Sequence, residues 1–210
     1  NMSQNTLKLL DLIKLAGVQT GKFKIHLATG GNDHPLTAFF DGRFKEWQEH
    51  QTKRNFQCDS VVALIHLNGS HWLFAGLWRI EGWAKRSSGG KPWYKYSTTE
   101  IQSLDHLSGR AIVTFKRTFR ASYLIGERYA DKLEVVQVLE ERMSMGEFPG
   151  YSSLMLDYRQ LRHVFRHELA EWRSALRSVK GVYVITDTSC GKLYVGGAYG
   201  TGGFWERWSD

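Results

Sequence analysis

Residues 61–83 read VVALIHL, NGSH, WLFAGLWRIEGW: two apolar runs, rich in β-branched and aromatic residues, on either side of Asn68-Gly69. Such runs favour strands, and Asn-Gly supplies the positive φ angles of a tight hairpin turn. An antiparallel hairpin therefore occupies the middle of the first 140 residues, and its surroundings must extend or cover a sheet. Further strands are predicted at 22–28 (KFKIHLA), 93–97, 111–117 and 133–139. KRSSGGKP (85–92) has the composition of a loop and GGNDHP (30–35) that of a turn. One helix is expected at 4–16, with Leu7, Leu10, Ile13 and Leu15 at near-helical spacing and Gly17 as its stop. A second is expected at 41–54, capped by Asp41 with Phe44 and Trp47 facing inward. The expected fold class is α+β, its first part a curved, β-barrel-like sheet carrying one or two helices.

The sequence changes character at 140–153 (EERMSMGEFPGYSS), where Met, Gly, Pro and Ser replace the β-branched runs. Asp157 followed by Gln160 is a capping-box start. Leu161, Phe165, Leu169, Trp172, Leu176 and Val179 then predict one helix, or two broken near His167–Glu168. Arg159, Arg162, Arg166, Arg173 and Arg177 scatter around its other faces, the pattern of a solvated helix surface. The predicted organisation is a β-rich targeting domain over 1–145, a linker and helical connector over 146–180, and a distinct segment over 181–210.

Composition narrows the function. Cys58 and Cys190 stand far apart, with no Cys or His near either at metal-ligand spacing. That argues against a disulfide framework or a zinc site and points to a reducing, cytoplasmic setting. No run of eighteen apolar residues occurs, so no membrane partner is predicted, and the N-terminus lacks the pattern of an export signal. The net charge is +7, yet 181–210 carry two cations against three carboxylates. A polyanionic partner would therefore be drawn mainly to residues 1–180.

Residues 180–200 read KGVYVITDTSCGKLYVGGAYG. A β-rich run at 181–186, a turn-forming DTSCG and a second run at 192–196 predict a hairpin with one tyrosine on each strand. Glycine-rich punctuation leads to a helix starting near Gly203, which carries Arg207. Aromatic packing would account for either tyrosine alone. Gly181-Val182-Tyr183, ten intervening residues, Tyr194-Val195-Gly196 and an arginine on the next helix together resemble the GIY-YIG nuclease superfamily, over about the last thirty residues. The string is also similar to a bacterial subgroup in which this nuclease domain follows a separate N-terminal domain.

The resemblance implies that the intact protein is a DNA endonuclease and that 181–210 form the first hairpin and helix of a GIY-YIG α/β domain. It makes Tyr183 and Tyr194 active-site phenols, Arg207 the phosphate-binding cation, Gly181 and Gly196 motif glycines, and Tyr199 a candidate third phenol. Phosphodiester hydrolysis needs a proton acceptor, a donor to the charge developing at phosphorus, and a cation at the leaving oxygen. A free phenol loses its proton only near pH 10, so one tyrosine has to be activated by neighbours or act through water. An arginine fork suits the second role. For the third, the resemblance implies a divalent metal, Mg or Mn, on a glutamate well downstream of the arginine. Glu206 lies about 100° from Arg207 around a helix and is no substitute. The metal thus has no predicted ligand in this chain, the expected glutamate falls beyond Asp210, and the 210 residues alone are predicted to be inactive. Gly197 stands where some relatives carry a basic or hydroxyl residue. One such site cuts one strand at a time, so double-strand cleavage calls for a homodimer.

Eight tryptophans are present, several beside cations: Trp78-Arg79, Trp83 before Lys85-Arg86, and Lys91 before Trp93-Tyr94-Lys95. Aromatic faces next to cations suit an extruded base or a single strand. They equally suit a β core with snorkelling cations. HWLFAGLWRIEGW resembles strands of PUA-like barrels, which include readers of modified bases. That likeness implies Trp83, Trp93 or Tyr94 in a base pocket, and Lys85, Arg86 and Lys91 of the loop on the DNA backbone. Arg117 and Arg120 of KRTFR are further phosphate-contact candidates. DNA is the expected partner, in restriction or repair. The targeting part is read as a modified-base reader, a sequence-specific reader or a protein-interaction domain that recruits the nuclease; a non-catalytic DNA-binding protein is the further alternative.

Overall fold

The computed structural model describes residues 6–30, 34–146, 148 and 150–209, and the chain divides into two compact units, Asn1–Ser144 and Met145–Asp210. The first contains α1 (Leu9–Leu15), β1 (Phe23–Ala28), α2 (Pro35–Phe40), α3 (Phe44–Glu49), β2 (His50–Gln51), β3 (Ser60–Asn68), β4 (His71–Ser88) and β5 (Lys91–Glu100). A 3-10 segment, Gln102–Leu107, leads to β6 (Ala111–Thr114), β7 (Tyr123–Ile125), α4 (Gly126–Tyr129) and β8 (Glu134–Val138). The expected central hairpin is β3–β4, closing at Asn68 opposite His71 with Gly69 at φ +50°.

Strand order is β2-β5-β4-β3-β1-β7, with β6 pairing β4 and β8; β1 and β3 run parallel and the other pairs antiparallel. The sheet is mostly open and does not close, which corrects the barrel-like expectation. The reason lies in the two faces of its central strands. Val62, Leu64, Trp72 and Phe74 pack on one face with Leu9 and Ile13 of α1. Ala63, Ile65, Leu73 and Ala75 pack on the other with Phe39 of α2 and Phe44 of α3. A small barrel buries one face of each strand; here both are apolar and both are covered by helices, so the strands read as unbroken apolar runs.

Several boundaries differ from expectation for local reasons. The first helix is only Leu9–Leu15, because the preceding residues join a sheet edge: Val135 N–H donates to Leu7 O (2.8 Å) and Leu9 N–H to Leu133 O (2.9 Å). Asp41 does not cap a helix at 41–54; it ends α2, a helix hidden in the sequence behind turn-like residues and started by Pro35, while α3 follows Arg43 and stops at Glu49. The Glu49 carboxylate, almost fully buried, accepts from Thr98 N–H (2.7 Å), Thr98 Oγ1 (2.9 Å) and Lys95 Nζ (2.9 Å). Residues 85–92 are not a loop: β4 runs to Ser88 and β5 starts at Lys91, joined by Gly89-Gly90 at φ +55° and +76°. Two consecutive positive φ angles are what a two-residue hairpin of this twist requires. The strand at 111–117 stops at Thr114, after which the Arg117 Nε–H donates to Phe119 O (2.8 Å). Part of the expected turn at 30–35, part of the linker at 140–153 and the Arg159 side chain lie outside the described residues.

The second unit contains α5 (Tyr158–Arg166), α6 (Ala170–Ser178), β9 (Gly181–Thr186), β10 (Leu193–Ala198) and α7 (Gly203–Ser209). The capping box forms: Asp157 Oδ1 accepts from Gln160 N–H (2.8 Å) and Gln160 Oε1 from Asp157 N–H (2.9 Å). Of the two expected alternatives the broken helix is realised, with Glu168 at φ +45° between α5 and α6. Phe165, Leu169, Trp172 and Leu176 of the apolar stripe pack with Val164 and Trp205 in this unit's core. Among the described residues no helix is long and apolar enough to cross a membrane.

Candidate active site

β9 and β10 pair antiparallel, with Tyr183 opposite Gly196 and Tyr194 opposite Ile185. Opposed residues share a face and alternate residues return to it, so both tyrosines project from the same side of the hairpin. Their ring centroids are 6.5 Å apart. The turn is built by Asp187, whose carboxylate accepts from Ser189 N–H (2.8 Å), Ser189 Oγ (2.6 Å) and Cys190 Sγ (3.1 Å). These bonds, the Ser189 hydroxyl foremost, hold the Asp187 carboxyl down at about 2. Gly191, at φ +72°, completes the reversal.

Gly196 has a specific task. A Cβ there would lie 2.5 Å from the Tyr183 hydroxyl and inside contact distance of its ring, so the ring lies across β10 only because the opposing residue is glycine. The ring is held on its other sides by Trp208 (centroids 5.4 Å, edge-on) and Phe204 (6.1 Å) of α7. Gly203 starts that helix at φ +57°, where a Cβ would lie 2.8 Å from Leu176 O and 2.9 Å from Arg177 O. Close seating of α7 on the end of α6, with Trp205 buried against Phe165 (4.4 Å), therefore requires glycine.

So seated, α7 turns Arg207 to the phenols. Its Nε–H donates to the Tyr183 hydroxyl oxygen at 3.3 Å, and first Tyr183, then Tyr194, raise the guanidinium pKa. Arg207 stays exposed, so an incoming phosphate can reach its remaining N–H groups. The patch joins two phenols able to exchange protons with a fixed cation able to bind phosphate oxygens.

Other expected residues fall elsewhere. Tyr199 does not join the pair: its ring covers Gly197, on the opposite face of the hairpin, and is 70% exposed. Glu206 accepts from Gly202 N–H (3.0 Å), capping its own helix. Two phenols and a guanidinium do not by themselves fit a divalent cation, which favours carboxylate and carbonyl oxygens and is repelled by a neighbouring arginine. Phe204 and Trp208, which hold Tyr183 in place, were missed from sequence; their spacing of four on a helix is the signal that pointed to them.

In the first unit the three aromatics singled out from the sequence fall on two faces of one strand pair. The β4–β5 pairing sets Lys85 opposite Tyr94 and Arg86 opposite Trp93. Trp83, Lys85 and Tyr94 therefore share one face, and Arg86, Lys91 and Trp93 the other, so Trp93 is turned away from Trp83 and Tyr94. Trp78 is a core residue, donating Nε1–H to Ala75 O at 3.0 Å. Arg117 borders an open cleft of about 500 Å³ with His66, Ser70 and Trp72, but donates to the carbonyls of Phe119 and Arg120. Arg120 is exposed. Compared with protein-family models, curated proteins and solved structures, the chain matches none.

Proposed function

We propose that this chain contributes the phenol and guanidinium part of a phosphodiester-hydrolysing site of GIY-YIG type, delivered to DNA by the first unit. The observation that carries this reading is Arg207 donating to Tyr183 at 3.3 Å with Tyr194 on the same face. An arginine held at one phenol, on a face that carries a second, is an arrangement that phosphate chemistry can use. In this reading Arg207 grips a non-bridging oxygen, one tyrosine in its phenolate form takes a proton from the attacking water as the bond from phosphorus to the leaving oxygen breaks, and the Tyr183–Arg207 bond orients both groups.

Nicking of supercoiled plasmid by the full gene product, with Mg²⁺ or Mn²⁺ supplied, tests the assignment against Tyr183→Phe and Arg207→Ala. Loss of roughly 10²-fold or more in either variant, with the fold intact, is the expected result for a removed transition-state donor or proton carrier. Undiminished nicking in both would refute it.

A further inference from the structure

β4 outruns the body of its sheet. It stays paired with β5 from Trp78 opposite Glu100 out to Ser88 opposite Lys91, and residues 83–92 are exposed on both faces. Six residues of β4, 83–88, extend about 20 Å at strand rise. Residues 82–99 hold Lys85, Arg86, Lys91 and Lys95 and no carboxylate. Lys95 pairs with Glu49 at 2.9 Å; Lys85, Arg86 and Lys91 have no carboxylate partner among the described residues. Three cations without a carboxylate partner, Lys85, Arg86 and Lys91, thus stand beside the aromatics Trp83, Trp93 and Tyr94 on one thin element.

The root of this arm is braced. The Arg54 guanidinium lies 4.2 Å over the Trp83 ring, Trp83 meets Tyr94 edge-on at 5.6 Å, and His50 of β2 stacks on Trp93 at 4.2 Å. Side chains on both faces therefore fix the arm's direction, which lowers the ordering cost of binding. The tip, Gly89-Gly90, carries no side chain.

We propose that the β4–β5 arm enters the major groove of duplex DNA, an inference that rests on reading the protein as DNA-directed. A ribbon laid flat on a phosphate backbone needs cations on one face. A ribbon inside a groove meets phosphates on both walls, and this arm has Lys85 on one face and Arg86 and Lys91 on the other. The major groove of B-DNA, about 12 Å wide, admits a two-stranded ribbon, and bare glycines let the tip approach the groove floor. The deep, narrow major groove of A-form RNA does not admit one.

The test is fluorescence anisotropy of the 210-residue chain on a duplex of about 20 base pairs, from ~50 to ~300 mM salt, with RNA duplex of the same sequence as second probe. The variant is Lys85→Ala/Arg86→Ala/Lys91→Ala, its fold checked by circular dichroism. Each lost phosphate contact reduces the log–log salt slope by about 0.9, so a fall of about 2–3 is expected, with DNA preferred over RNA at least tenfold. Dimethyl sulfate reports guanine N7, which lies in the major groove; protection by the wild type and not by the variant is expected. DNA binding with an unchanged slope and no N7 protection would overturn the arm while leaving a DNA-directed protein. Equal binding of RNA would overturn the groove placement. No binding of either duplex at low salt would overturn both the arm and the DNA reading.

Discussion

Replacing His26 with Phe should abolish a pH dependence that burial builds into the first unit. His26 is 3% exposed on β1, its ring stacked with Tyr123 (4.9 Å, 18°) and Trp47 (5.8 Å, 11°) and edge-on to Phe56 (5.5 Å). Its Nδ1 lies 3.1 Å from Gln48 Oε1. Burial lowers the imidazole pKa from 6.5 to about 4, the Gln48 bond opposing it only in part. The folded protein therefore keeps His26 neutral where the unfolded chain takes up a proton. The associated stability is fully present above pH 6.5, is lost as pH falls towards 4, and changes no further below that, where both states are protonated. The difference amounts to roughly 3 kcal/mol, at 1.36 kcal/mol per tenfold. Phe keeps the ring stack but leaves Gln48 Oε1 unpaired, so at pH 8 the variant should be less stable by about 1–3 kcal/mol. Urea unfolding of both proteins from pH 8 to pH 4, followed by tryptophan fluorescence, should show that deficit vanish or reverse. A wild-type minus variant difference that stays constant over this range would refute the reasoning, as would an NMR titration of the His26 ring near pH 6.5.

Two further outcomes test the candidate site. Gly196→Ala should push the Tyr183 ring off β10 and break its bond to Arg207, at an overpacking cost of about 1–3 kcal/mol; a variant with wild-type stability and unshifted Tyr183 ring resonances would contradict the geometry. Asp187, held at about 2 against a usual 3.8, supports the turn above pH 3.8 and loses that support as pH falls through 2. Ser189→Ala, removing its main partner, should move the carboxylate's ¹³C titration towards 3.8, and an unmoved titration would dismiss the hydroxyl as its cause.

The elements legible in the sequence were those with local causes. Asn68-Gly69 and its flanking runs specified the β3–β4 hairpin, Asp157 and Gln160 the start of α5, and the broken apolar stripe the pair of helices that follows. The hairpin bearing Tyr183 and Tyr194 and the helix bearing Arg207 were equally legible, because alternation, turn residues and glycines encode them over a few positions. Tertiary structure decided what depends on distant partners. Whether the sheet closes follows from both faces of β3 and β4 being covered by helices that come from other segments of the chain. KRSSGGKP reads as a loop by composition and becomes a ribbon because each polar residue finds a backbone partner across the turn while its side chain stays in water. Tyr199 and Glu206 are close in sequence to the phenols and arginine, yet strand parity turns one away and a helix start claims the other. A sequence pattern sets period and punctuation; which face is covered, and which polar group meets which, is set by chain segments the pattern does not contain.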